Sequence, residues 1–151
     1  SFINKSTFYK YFNGKQDLLT YIEEELLEGL SPLLDNALMV PNPFDDNPYL
    51  SMYFSYIREN FDLWYLLTQK TDQEFQAMLT KFIHDHCLNS TTNRQKILGQ
   101  DPNISKDLFA IMLSSIYSGL FSWWVVHHMP YSDEYMGKLL CTLWKRLSSW
   151  A

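Results

Sequence analysis

Between positions 106 and 129 the chain carries Leu108, Phe109, Ile111, Met112, Leu113, Ile116, Leu120, Phe121, Trp123, Trp124, Val125 and Val126, with no proline before Pro130. A segment so long and so free of breakers reads as one helix, apolar on almost every side. Such a helix must be covered on more than one face, which requires a bundle of neighbouring helices. Ser105 offers a capping oxygen at its start, Asp107 suits the positive end of its dipole, and Pro130 ends it near Met129. Within it Ser115, Ser118, Gly119 and Ser122 recur at i, i+3, i+4 and i+7, a stripe of small residues that lets a second backbone approach closely. Ser132 then caps a last helix whose apolar face is Met136, Leu139, Leu140, Leu143, Trp144 and Leu147. Two such helices on 151 residues present more apolar surface than one chain hides. The simplest solution is a homodimer in which two helices from each subunit form a four-helix bundle. Its expected interface is Ser115, Ser118, Gly119, Ser122, Trp123, Met136, Leu139, Leu140, Leu143 and Trp144.

The rest of the chain also reads as helices, with no strand pattern. A helix starting at Lys15 carries Leu18, Leu19, Ile22, Leu26 and Leu27 on one stripe, with Glu23, Glu24, Glu25 and Glu28 mostly on its wet side. It is expected to falter at Gly29 and restart at Ser31-Pro32. The loop VPNPFDDNP over 40–48, with three prolines, ends it. One helix is expected from 49 to about 67, and another, capped by Thr71 or Asp72, to about 88. Residues 89–105 read as a loop with one turn around 94–98. The expected fold is therefore all-α, with a head over 1–39 and a helical-bundle body over 40–151.

Charge separates those two parts. Positions 1–16 hold Lys5, Lys10 and Lys15 and no acid, whereas the remaining 135 residues hold nine Lys/Arg against seventeen Asp/Glu. Nucleic-acid affinity arises largely from cations meeting phosphates, so an acidic body needs a dedicated basic spot to reach DNA. Asn4 can cap a short helix to Tyr11, and Asn13-Gly14 turns the chain into the next one. Phe8 and Phe12 share the buried face of that short helix and turn Lys5, Ser6, Tyr9 and Lys10 outward.

The pattern INKSTFYKYFNGKQDLL over 3–19 resembles the recognition helix and following turn of the tetracycline-repressor (TetR) family of bacterial transcriptional regulators, with matching positions Thr7, Phe8, Tyr9, Phe12, Lys15 and Leu18. Phe2 departs from it, standing where the family usually has glycine. The resemblance implies a helix-turn-helix head whose front half precedes these residues, with Lys5, Ser6 and Lys10 near base edges and Thr7, Tyr9, Tyr11 and Lys15 on phosphates. On that reading these 151 residues alone bind DNA weakly at most, while the full-length protein binds an operator as a dimer. The stretch SGLFSWWVVHHMPYSDEYMGKLL over 118–140 is similar to the C-terminal region of some TetR-type regulators. The resemblance also implies a ligand-responsive regulator, a repressor released from DNA by a small apolar or aromatic effector. Tyr53, Tyr56, Phe61, Trp64, Tyr65, Met78, Phe82 and Tyr117 offer an apolar lining with a few hydroxyl handles for such a molecule.

Other chemistry fails on spacing. His84 and His86 lie two apart on a helix and point to opposite sides, so they cannot share a metal ion. His127 and His128 close a helix, where an imidazolium complements the dipole. Cys87 and Cys141 have no metal-type spacing and read as reduced thiols of a cytoplasmic protein. No uninterrupted apolar run of about twenty residues is present, which argues against a membrane span. With no phosphate loop and no nucleophile motif, no enzyme, cofactor or metal centre is expected. The alternative is a helical protein-binding or co-activator module that uses the head little.

Overall fold

The structure, a computed structural model, describes residues 10, 12–39, 47–70, 72–89 and 105–148. Among them stand six helices and no strand: α1 (Lys15–Met39), α2 (Pro48–Glu59), α3 (Phe61–Lys70), α4 (Asp72–Asn89), α5 (Lys106–Val126) and α6 (Asp133–Ser148). The all-α expectation is met. α5 lies along α4, α6 lies along α2, and α1 packs on both α2 and α4, with α3 crossing between them. The core they enclose includes Leu30, Leu34, Tyr53, Phe54, Ile57, Trp64, Phe75, Phe121 and Trp124, all fully buried. Most of the expected loops over 40–48 and 89–105 lie outside the described residues.

Several junctions follow from local chemistry. Asn13-Gly14 turns the chain, with Gly14 at φ +150° and Asn13 N–H donating to Asp17 Oδ2 in the first turn of α1. Asn47 is buried and serves two elements, accepting from Tyr49 N–H at the start of α2 and donating through Nδ2 to Ala37 O near the end of α1. Ser105 accepts from Leu108 N–H and Ser132 from Tyr135 N–H, so both expected caps are present.

Three boundaries differ from expectation. α1 runs without interruption through Gly29 and Pro32. Pro32 takes one donor from the ladder, but Pro32 and Glu28 both face outward, where water can serve the Glu28 carbonyl. Gly29 is a notch rather than a weak point: the Tyr56 ring fills it, Tyr56 Oη donates to Leu26 O at 3.0 Å, and an added Cβ would overlap the phenol. The single helix expected over 49–67 is two, because Asn60 ends α2 and begins α3. Its side chain donates to Tyr56 O while its own carbonyl accepts from Leu63 and Trp64 N–H. α5 stops at Val126 instead of reaching Met129; His128 and Met129 take φ of 57° and 52°, and Met129 N–H folds back onto Trp124 O.

By length and composition α5 could cross a bilayer, yet half of its most apolar stretch is buried inside the fold. Two of its hydroxyls are spent there: Ser122 donates to Gln76 of α4, and Ser118 Oγ lies 2.9 Å from Thr80 Oγ1. These are the contacts of a core helix.

The seam between α1 and α4 carries the titratable groups. His86 Nδ1 donates to Phe82 O, 3.0 Å away, and its Nε2 lies 2.9 Å from Ser31 Oγ and 3.5 Å from Asp35 Oδ1. Farther along, Glu23 is buried, and burial, followed by the nearby Glu74 and Glu24 carboxylates, raises its pKa above the usual range. A carboxyl raised in the folded state contributes stability that is complete below the pKa of the unfolded chain and is lost as pH rises through the folded value. Glu23→Gln, neutral throughout, is expected to melt higher than the parent at pH 7 and equally near pH 4, a difference readable by thermal denaturation at the two pH values.

Candidate functional site

The aromatic residues expected to line an effector site divide into two sets. Tyr53, Trp64 and Tyr117 are fully buried, whereas Tyr56, Phe61, Tyr65, Met78 and Phe82 are half-buried against the core. The structure brings Tyr53 and Tyr117 together edge-on at 6.0 Å, and Trp64 meets Tyr56 at 6.4 Å, Phe75 at 5.9 Å and Phe121 at 5.1 Å. Phe61 and Tyr65 instead pack against His128 in the turn after α5, and Phe82 packs at a tilt against His86 at 4.4 Å. The expected lining thus falls into two aromatic pairs in the core, Tyr53–Tyr117 and Tyr56–Trp64, with Phe61, Tyr65 and Phe82 engaged elsewhere.

Electrostatically the cluster is neutral. Burial, then the neighbouring Tyr117 and Cys87, drives the Tyr53 phenol pKa far upward, and burial pushes the Cys87 thiol up to about 12. Neither group ionises at physiological pH. Among the described residues no three His, Cys, Asp or Glu side chains are grouped to hold a metal ion. Two open grooves lie elsewhere: one of about 420 Å³ between α2 and α6, bordered by Ser51, Met52, Lys138 and Cys141, and one of about 600 Å³ at the α2–α3 break beside Arg58 and Met129.

Sequence periodicity misses two members of this site. Gly29 has no side chain to signal anything, and only the distant Tyr56 gives it a role. Cys87 reads as an inert core thiol, yet it is close enough to Tyr53 to perturb it.

The residues expected at the dimer face are also divided. Ser115, Gly119, Trp123 and Leu139 are exposed, Ser122 and Leu143 are half-buried, and Ser118, Met136 and Leu140 are buried within the chain. The side chain of Trp144 lies outside the described residues. An i, i+3, i+4, i+7 stripe wraps part of the helix circumference, so its Ser118–Ser122 edge meets α4 while its Ser115–Gly119 edge faces out. Around that outer edge the surface is apolar: Leu108, Ile111, Met112, Trp123 and Val126 are 41–55% exposed. It continues through an aromatic ladder in which Trp123 stacks on His127 at 4.5 Å and on Tyr131 at 6.3 Å, and Tyr131 stacks on Tyr135 at 4.8 Å.

Of the residues expected to touch DNA, Lys5, Ser6, Thr7, Tyr9 and Tyr11 lie outside the described residues. Lys10 is exposed, and Lys15 is the exposed first residue of α1. The Phe12 ring lies edge-on to Tyr21 of α1 at 5.5 Å.

Neither curated proteins nor solved structures give a match to this chain. The family model for the transcriptional regulator C-terminal region of the TetR type matches residues 46–146, which takes in α2 to α5 and nearly all of α6. Spanning 101 of the 151 residues, that match covers both the aromatic cluster and the exposed face of α5, and the chain belongs to the TetR-type transcriptional regulators.

Proposed function

We propose that the chain acts in the cytoplasm as a homodimeric, ligand-responsive repressor whose effector seats in the aromatic cluster and whose head, through Lys5, Ser6, Thr7, Tyr9, Lys10, Tyr11 and Lys15, grips operator DNA. The reading rests chiefly on Tyr56. Its ring meets Trp64 in the cluster at 6.4 Å, while its hydroxyl and ring edge are plugged into α1 at Leu26 and Gly29. α1, the long helix of the head, begins at Lys15, the last of those DNA-facing residues. A molecule that displaces Trp64 therefore pushes Tyr56, and through it the helix that carries the head. The effector shifts the equilibrium between DNA-competent and incompetent dimers only as far as its affinities for the two differ.

Gly29→Val tests the linkage, because a branched side chain cannot share the notch with Tyr56. Overpacking is expected to cost about 1–3 kcal/mol of stability. Freed from its anchor, α1 lets the two heads sample many spacings, so operator affinity of the full-length gene product is expected to fall about tenfold, or 1.4 kcal/mol. Binding of that product to DNA from upstream of its own coding region is expected to weaken steeply with salt. A flat salt response, or no binding, removes the repressor reading. It would favour a protein-binding module, for which the exposed Trp123–Tyr131–Tyr135 ladder offers the contact surface.

A further inference from the structure

Past the end of α5 the backbone is held where it does not settle on its own. His128 and Met129 stand at φ 57° and 52°, the left-handed region, and among the described residues no other non-glycine residue does so. Met129 N–H bonds to Trp124 O at 2.7 Å and His128 N–H to Val125 O at 3.0 Å, a helix-ending turn whose left-handed position is usually a glycine. With side chains there both residues are strained, because an L-residue favours negative φ. Such strain persists only where the surroundings impose it. Met129 is half-buried against the core, and the His128 imidazole packs on two rings of α3, Tyr65 at 5.1 Å and Phe61 at 5.8 Å. Those two rings meet each other at 5.4 Å. The preceding side chain goes the other way, His127 stacking on Trp123 in the exposed aromatic ladder. One strained turn thus joins α3 to the outer face of α5 and α6.

We propose that this turn is a conformational switch, held closed by the contact of His128 with Phe61 and Tyr65 and, once released, relaxing to negative φ and breaking the ladder between Trp123 and Tyr131. In the closed position Trp124 Nε1 donates to Tyr131 O, and Tyr131 stacks on both Trp123 and Tyr135, so the outer residues of α5 and α6 form one surface. Return of His128 and Met129 to negative φ redirects the chain at both positions, which undoes the Met129–Trp124 bond and draws Tyr131 away from Trp124 Nε1. Tyr131 O also accepts from Arg58 at the surface, a bond that water replaces at little cost. α6 keeps its own seat on α2, where Gly137 lies so close to Ser51 that an added Cβ would overlap it. Opening therefore changes the junction and leaves the bundle. Backbone strain favours the open position, and the ring contacts with α3 favour the closed one. The proposal goes beyond the effector reading and does not depend on where an effector seats; the surface it governs is the one proposed for dimerisation.

The test uses the whole chain and reads the Trp124 indole proton, which exchanges with solvent slowly while Nε1 is bonded to Tyr131 O; Trp124→Phe identifies its resonance. His128→Ala removes the ring contacts and keeps the strain, whereas His128→Gly removes both, because glycine adopts positive φ freely. His128 is exposed, so both variants are expected to fold as the parent does. The indole proton is expected to exchange about tenfold faster in the alanine variant than in the glycine variant, the difference that left-handed strain at one residue supplies. His128→Phe, which keeps a ring against α3, is expected to exchange like the parent. Loss of a merely structural contact would speed exchange equally in the alanine and glycine variants, and that result overturns the proposal. So does a phenylalanine variant that exchanges as fast as the alanine one. Sedimentation of the same chains reads the surface: the dimer is expected to dissociate about tenfold more readily with alanine than with glycine. Equal dimer affinities beside unequal exchange would separate the turn from the surface and overturn the proposal. A parent chain that is a monomer sinks the dimer reading instead, and exchange alone then decides the switch.

Discussion

A chain carrying Gly119→Glu is expected to keep its helical content and to sediment as a monomer at concentrations where the parent is a dimer. Within one subunit the substitution is harmless. Gly119 is exposed, an added Cβ meets nothing within 4 Å, and glutamate is the better helix former by up to about 1 kcal/mol. Across the proposed two-fold axis the outcome reverses. Leu108, Met112, Ser115, Gly119, Trp123 and Val126 recur along α5 every three or four residues as one exposed seam, and a carboxylate at its middle would be buried twice, facing its own image. Unpaired buried charges cost several kcal/mol, so the dissociation constant is expected to rise by a hundredfold or more, about 3 kcal/mol. Sedimentation velocity with matched circular dichroism reads both effects. A dimer that survives the substitution would place the interface away from α5.

That test depends on a face the sequence indicates only in part. Spacing alone shows that Ser115, Ser118, Gly119 and Ser122 share one side of α5, but not what covers it. The partners that claim Ser118 and Ser122 are Thr80 and Gln76, about forty residues earlier in the chain. Short-range chemistry was legible: the caps at Ser105 and Ser132 and the turn at Asn13-Gly14 each depend on a few adjacent residues and lie where expected. The break at Asn60 was not, because apolar residues continue on helical spacing from Ile57 through Phe61 to Trp64 and conceal a change of direction. On sequence alone Gly29 is a flaw, since glycine weakens isolated helices, whereas its value lies in admitting Tyr56 from another helix. The same limit applies at the candidate site. Tyr53 and Trp64 read from the sequence as apolar lining for a small molecule, but that their polar atoms find no partner is a property of packing.

Trp124→Ala is expected to be among the most damaging single changes in the chain, costing about 3–5 kcal/mol in urea or thermal unfolding. The indole is fully buried and meets Phe54 edge-on at 5.2 Å. Its Nε1 donates to Tyr131 O at 3.0 Å, its own carbonyl accepts from Met129 N–H, and the Arg58 guanidinium lies 5.2 Å from its ring. Arg58 in turn donates to Asp133 and to Tyr131 O, and Ser55 donates to Asp133 Oδ2. The Arg58–Asp133 pair is too solvated to contribute more than about 1 kcal/mol, so its effect is to fix the start of α6 against α2. Trp124 is what that arrangement is built around. Trp124→Phe, which keeps most of the packing and loses only the donor to Tyr131, is expected to cost roughly 1–2 kcal/mol. The alanine variant should also loosen the dimer although Trp124 is buried within one subunit. The Trp123–Tyr131–Tyr135 ladder crosses the turn that Trp124 anchors, and only a fixed turn holds the outer faces of α5 and α6 in one surface. A Trp124→Ala chain that unfolds more easily but dimerises with unchanged affinity would show that α5 alone forms the seam, and that the ladder faces some other contact.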